Sequence, residues 1–136
     1  MIFNSCAICK QKNIQLECHF EIGTLRVKGD RDMLYRVFVN LISNSVKFTE
    51  RGKISFSSRY QDDKILVSVA DTGLGIEKQD MEKIFERFFQ KTASAVGIGV
   101  GLTISRDIAV LHHARIWAES EGLGKGAVFK VEFPRT

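Results

Sequence analysis

One stretch of this chain leaves few alternatives for its fold: Asp30 to Lys47, DRDMLYRVFVNLISNSVK, has the spacing of a single amphipathic helix. Leu34, Phe38, Leu41 and Ser45 recur at steps of three and four, with Ile42 along the edge of the same stripe. That periodicity predicts a face anchored in a core. Asn40, Asn44 and Lys47 recur at the same spacing. At about 100° per residue they form a separate row, more than a quarter turn from the centre of the apolar stripe. One side of the helix anchors, and the other presents two carboxamides and an ammonium to something polar. Asparagine inside a helix competes for backbone hydrogen bonds, so this pair calls for either a solvated face or a polar site.

Such a helix needs a core to pack against. The chain's 136 residues, 44% hydrophobic and 26% charged, are enough for one ordinary soluble domain. The net charge of +4 suits an anionic ligand as well as it suits a plain solvated surface. Lys and Arg are scattered, without the basic and aromatic interleaving of a nucleic-acid groove, so no nucleic-acid partner is expected. Cys6, Cys9 and Cys18 are odd in number and confined to the start of the chain, which fits a reducing compartment better than a disulfide framework. Cys6-x-x-Cys9 has apolar neighbours (Ile2, Phe3, Ile8) and no second pair, and reads as small side chains on a helix face rather than a metal site. No apolar run approaches the ~20 residues of a membrane span and no signal peptide is visible. A cytoplasmic domain without membrane contact is expected, whether or not the full-length protein is membrane-anchored.

In order, residues 1–12 have the helical spacing of a preceding helix without its start signal, a stub or linker before a domain spanning 13–136. Ile14, Leu16, Cys18 and Phe20 alternate as a half-buried strand, Leu25 and Val27 suggest a short second one, and Asp30 or Asp32 can cap the central helix. Ile54, Phe56, Ser58 and Tyr60 form a strand that turns at Gln61-Asp62-Asp63-Lys64 and returns through Ile65, Val67 and Val69. Asp71 continues that inward period, and a carboxylate there is costly without a donor. Thr72-Gly73-Leu74-Gly75-Ile76 then lets the backbone turn tightly. Lys78 to Arg87 predicts a short helix with Met81, Ile84, Phe85 and Phe88 inward, followed by a loop from Gln90 to Ala95. Gly97-Ile98-Gly99-Val100-Gly101-Leu102 leads into a helix with Leu102, Ile104, Ile108 and Leu111 inward, and a glycine loop at a helix N-terminus offers free N–H groups to phosphate. Arg115 to Ser120 and Ala127 to Phe133 are the last strands, joined across Gly122-Leu123-Gly124-Lys125-Gly126. The fold class is α+β, a two-layer sandwich with a mixed, largely antiparallel sheet of about five strands on three helices.

Four motifs thus stand in fixed order: Asn40-x-x-x-Asn44-x-x-Lys47, Asp71-x-Gly73-x-Gly75, Phe85-x-x-Phe88 and Gly97-x-Gly99-x-Gly101-Leu102, with Gly122-x-Gly124-x-Gly126 closing the set. Together, over residues 14–133, they resemble the ATP-binding catalytic domain of sensor histidine kinases, in the superfamily that includes DNA gyrase and MutL. The resemblance implies the Bergerat ATP-binding fold, with ATP and Mg2+ as cofactors. It implies that Asp71 accepts from the adenine amino group, which guanine lacks. Asn44 would bring an oxygen to Mg2+, Asn40 would sit near the terminal phosphate, and Lys47 would offset phosphate charge. Gly97, Gly99 and Gly101 would give N–H groups to the phosphates, with residues 90–96 as a lid over the nucleotide. Gly73, Gly75, Ile76, Phe85, Lys91, Val100 and Leu102 complete the implied nucleotide site.

Within that superfamily the hydrolysing members carry a glutamate base where this chain has Asn40, and an amide cannot accept the proton. Transfer to a histidine on another domain is therefore favoured over hydrolysis, with Asn40 and Lys47 as catalytic residues acting by position and charge. No acceptor histidine of the family's pattern occurs here: neither His19-Phe20-Glu21 nor His112-His113-Ala114-Arg115 fits. The implied partners are a dimerisation and acceptor domain of the same kinase and, indirectly, a response regulator, with this domain monomeric in isolation. Departures from the pattern are Ile98, His113-Ala114 and Ala127-Val128, where relatives carry hydroxyls, amides or paired glycines. They leave two other readings, a nucleotide-sensing module without transfer and a serine-directed kinase on the same fold.

Overall fold

The computed structural model describes residues 13–20, 26–86 and 101–134. In chain order they form β1 (Ile14–Phe20), α1 (Arg31–Phe48), β2 (Gly52–Gln61), β3 (Lys64–Asp71), 3₁₀ turns at Lys78–Asp80 and Lys83–Phe85, α2 (Gly101–Leu111), β4 (Arg115–Glu119) and β5 (Ala127–Pro134). The sheet has five strands in the order β1-β2-β3-β5-β4. Only β1 and β2 run parallel. Parallel neighbours need a crossover, and α1 supplies it. The expected α+β layering and strand number are what the chain adopts; residues 1–12 lie outside the described part.

Asp30 caps α1, its side chain accepting from Met33 N at 3.0 Å, whereas Asp32 sits in the first turn. Leu41 is fully buried, and the buried face also includes Val37 and Val46, outside the expected stripe. The reason is a second neighbour. α2 packs along α1, so α1 is covered from two directions rather than one. Phe38 closes the sheet side, its ring edge-on to Phe56 at 6.0 Å and to Phe133 at 6.2 Å. The β2–β3 hairpin turns through Asp62 (φ 51°) and Asp63 (φ 63°), a left-handed pair of the kind two-residue hairpins require and Asp tolerates.

Four expectations are corrected. Lys78 to Arg87 forms no α-helix within its described residues but two 3₁₀ turns, so the described residues contain two α-helices where three were expected. Neither turn has a side-chain cap, and so short a segment cannot offset helix nucleation. Val27 stands in no strand, since the chain runs within three residues into the Asp30 cap of α1; Leu25 is outside the described residues. β1 is buried only at Ile14 and half-buried at Leu16 and Glu17, while its last three residues are exposed, Phe20 to 53%. Finally, Leu111 is 66% exposed, and α2 turns Ser105, Ile108 and Ala109 inward instead. Small side chains on that face let α1 and α2 approach closely.

Candidate functional site

Asp71 ends β3, opposite Ile54 on one side and Ala127 on the other. Its inward neighbours Val67 and Val69 are buried, and Asp71 itself is half-buried at the sheet's end. Two backbone N–H groups hold it, Gly73 at 3.0 Å and Ala127 at 3.2 Å, and both reach the same oxygen, Oδ1. No described residue makes a hydrogen bond to Oδ2 in this geometry. Burial raises the carboxyl above the ordinary aspartate range, while the Gly73 N–H, the Ser45 hydroxyl and the Ala127 N–H pull it back. The Ser45 and Thr49 hydroxyls are buried without a hydrogen-bond partner among the described residues, although Ser45 is close enough to bias Asp71. A carboxylate fixed through one oxygen, beside the buried Thr49 hydroxyl and the Ser45 hydroxyl that leans toward it without a full hydrogen bond, is a polar site with bonding capacity left over.

The glycine turn after Asp71 docks on the C-terminal end of α1. Leu74 N donates to Phe48 O at 3.0 Å, and a Cβ on Gly73 would lie 2.3 Å from that oxygen. Gly75, at φ +79°, leaves no room either: a Cβ there would stand 2.2 Å from Gly122 O. The β4–β5 turn crosses over this loop, with Gly124 N donating to Leu74 O at 2.7 Å. Ile76 N is held by the Ser120 hydroxyl at 3.0 Å. Motifs about fifty residues apart in the chain are thus tied backbone to backbone.

On α1, Asn40 is already engaged. Its Nδ2 donates to Gly101 O at 3.2 Å and to Ser105 Oγ at 3.4 Å, so the carboxamide seats the start of α2 and keeps Oδ1 as acceptor. Asn44, one turn on, is half-buried, and Lys47 is exposed with its ammonium 5.5 Å from the Phe48 ring centroid. Gly101 and half-buried Leu102 open α2 beside Asn40. The structure therefore carries Asn40, Asn44 and Lys47 on the C-terminal half of α1, sets Gly73 against the carbonyl of Phe48 at its end and Gly101 against Asn40, and holds Gly75 and Ile76 to the β4–β5 turn through Gly122 and Ser120. Phe85 is placed differently: it is buried in the core, edge-on to Phe129 at 6.4 Å. Lys91, Gly97, Gly99, Val100 and the loop from residue 90 lie outside the described residues.

Ser120, Ser45 and Thr49 escaped the sequence reading. Ser45 stood on the apolar stripe and Thr49 just past the helix; a hydroxyl on a buried stripe was the available signal. Ser120 precedes a glycine turn, where a hydroxyl commonly bonds local backbone.

Nothing in this donor set conflicts with an adenine nucleotide and a divalent cation: a free carboxylate oxygen, side-chain amide oxygens, and backbone glycines that no Cβ could replace. Residues 29–136 match the family described as histidine kinase-, DNA gyrase B- and HSP90-like ATPases. The sensor histidine kinase WalK of Bacillus subtilis is 32% identical over 141 residues, covering 98% of this chain and 23% of WalK. The solved catalytic domain of histidine kinase ThkA, in a nucleotide-free form, superposes with a TM-score of 0.86 at 34% identity, covering 98% of this chain and 88% of that one. Full-length ShkA in complex with AMPPNP gives 0.85 at 29% identity, covering 94% of this chain and 27% of that one. The chain spans about a quarter of the length of WalK and ShkA. With residues 29–136 matched and the catalytic domain of a 34% identical kinase superposing, this chain belongs to the histidine kinase-, DNA gyrase B- and HSP90-like ATPase family.

Proposed function

We propose that this chain is the ATP-binding kinase domain of a two-component sensor histidine kinase, acting in the cytoplasm on a histidine carried by a separate dimerisation and acceptor domain. A response regulator is the indirect partner. The observation that carries the reading is the split use of Asp71: Oδ1 is fixed by Gly73 and Ala127, and Oδ2 is left to accept. An amino group on the base satisfies that oxygen. A carbonyl in its place would face a buried carboxylate, so adenine is selected over guanine.

Asn44 supplies a neutral oxygen for Mg2+, and Lys47 a positive charge for the phosphates. ATP supplies the phosphoryl group, and its metal offsets charge on the phosphate oxygens. Asn40 contributes an amide where a hydrolase needs a carboxylate base, so water is not activated and the acceptor imidazole serves as its own nucleophile. Gly101 opens α2 with the positive end of its dipole toward the same region. Of the remaining implied residues, Gly97, Gly99, Val100 and Lys91 belong to the same proposal through the resemblance alone.

Incubation with labelled ATP and the cognate acceptor helices should yield an acid-labile, alkali-stable phosphoprotein. A nucleotide-sensing module is the second reading, favoured by the tie between Asn40 and Gly101 O and by the absence of a hydroxyl at Ala127. Binding of ATP without transfer of label would select it. Acid-stable label would select a serine-directed kinase.

A further inference from the structure

Ser120 sits where β4 ends, outside the implied nucleotide-binding set, and its hydroxyl is fully used. It accepts from Ile76 N at 3.0 Å and from Gly122 N at 3.2 Å, and donates to Gly126 O at 2.6 Å. Gly122 O is 3.3 Å away, a poorer acceptor for the same proton. A hydroxyl has one proton to give and two lone pairs to offer, so nothing is spare. The Gly126 carbonyl belongs to the same peptide unit as the Ala127 N–H, and that N–H donates to Asp71 Oδ1 at 3.2 Å. A bond accepted at one end of a peptide unit polarises the donor at the other. The path therefore runs from the Ser120 O–H into the Gly126 carbonyl, and out through the Ala127 N–H to Asp71.

We infer that Ser120 is a positioning residue for base recognition: through the Gly126–Ala127 peptide it fixes Asp71 Oδ1 and so aims Oδ2, while its bond to Ile76 N sets the opposite wall of the same turn. This rests on the reading of Asp71 as the adenine acceptor. Geometry supports a fixed path. Gly126 lies at φ +71° with its backbone packed against Asp71 O, where a Cβ would come within 2.2 Å, so the peptide that Ser120 holds sits directly beside the carboxylate residue it serves. This chain carries Ala127 where a hydroxyl could have held Asp71 directly, which leaves the backbone donor and its support from Ser120 to do that work.

The test compares the isosteric pair Ser120→Val and Ser120→Thr by titration calorimetry, with ATP and with inosine triphosphate, whose base has a carbonyl in place of the amino group. Ser120→Val should lower the preference for ATP over inosine triphosphate roughly three- to tenfold, with Ser120→Thr keeping it within about twofold. Equal weakening of both nucleotides by Ser120→Val, or no change, overturns the inference, since a merely structural role does not distinguish the bases. Asp71→Asn separates the two levels. If that variant keeps the preference, the adenine assignment itself fails; if it loses the preference and Ser120→Val does not, only the role of Ser120 fails. Should Ser120→Val not fold, the wild-type chain decides: the Gly126 carbonyl carbon resonance should move with ATP and not with inosine triphosphate, and an identical response to both overturns the inference.

Discussion

His112 joins the two helices at the end away from the glycine turns: its Nε2 accepts from the Asp30 backbone N–H at 2.9 Å while Nδ1 bonds Ile108 O at 2.8 Å. The ring thus ends α2 and holds the N-cap of α1 with one neutral tautomer. Gly29 makes room for it, since a Cβ there would stand 2.3 Å from His112 Cδ2. His112→Ala should cost about 1 kcal/mol in urea unfolding, the usual worth of a partly exposed hydrogen bond. Gly29→Ala should cost at least as much in the wild type and much less in the His112→Ala background, because the obstructing ring is gone. Additive losses in the double variant would show that the two residues act independently.

Asp71→Asn separates binding from folding. The carboxyl is raised above the ordinary value of 3.8 by burial, so its ionised form at neutral pH is a penalty on the native state. That penalty is present above the native pKa and disappears as pH falls through it toward the unfolded value. An asparagine keeps an Oδ1 for Gly73 and Ala127 without the charge. Without nucleotide, the variant should be as stable as wild type or more so at neutral pH, with the difference shrinking on acidification. With nucleotide at a hundredfold over the wild-type dissociation constant, wild type should gain about 2.7 kcal/mol and the variant none. Thermal melts with and without ATP across that pH range measure both effects, and an unchanged nucleotide shift in the variant refutes the base assignment.

Asn44→Ala is the matching test for the metal. Alanine is the better helix former by roughly 0.5 kcal/mol, so the ligand-free protein should not lose stability. Nucleotide affinity should lose its dependence on magnesium, read by titration in magnesium and in chelator. Persistence of that dependence would place the metal on another residue.

The sheet, the central helix and the Asp71 turn were legible because each rests on a local period: two for β2, β3 and β5, and 3.6 for α1. What was not legible depends on neighbours distant in the chain. Val37 and Val46 are buried because α2 lies beside α1, and Leu111 is exposed because α2 turns Ser105 and Ala109 inward. Neither could be read from one helix alone. Phe85, by contrast, was expected inward from its spacing and is buried there, its ring edge-on to Phe129. Among the site residues, the Asn40, Asn44 and Lys47 row could be seen from spacing. That Asn40 would be tied to Gly101 O could not, because the bond spans 61 positions.

Gly126→Ala bears on fold and site together. Gly126 has φ +71°, where an L side chain is strained by about 1 kcal/mol or more. A methyl group there would also stand 2.2 Å from Asp71 O and 3.1 Å from Thr72 Cα, all backbone, so no side chain can swing aside. Relief requires β5 to draw away from β3 at the Asp71–Ala127 pair. That same movement stretches the Ala127 N–H bond to Oδ1. The variant should lose on the order of 3 kcal/mol of stability and lose ATP binding under conditions where it remains folded. By contrast Gly124→Ala, at φ +79° with no atom within 4 Å of the added carbon, should cost only the backbone strain and keep nucleotide affinity. Paired measurement of unfolding free energy and ATP dissociation constant in these two variants checks the distinction. Equal losses in both would show that left-handed strain, and not the closeness of Gly126 to Asp71, limits this turn.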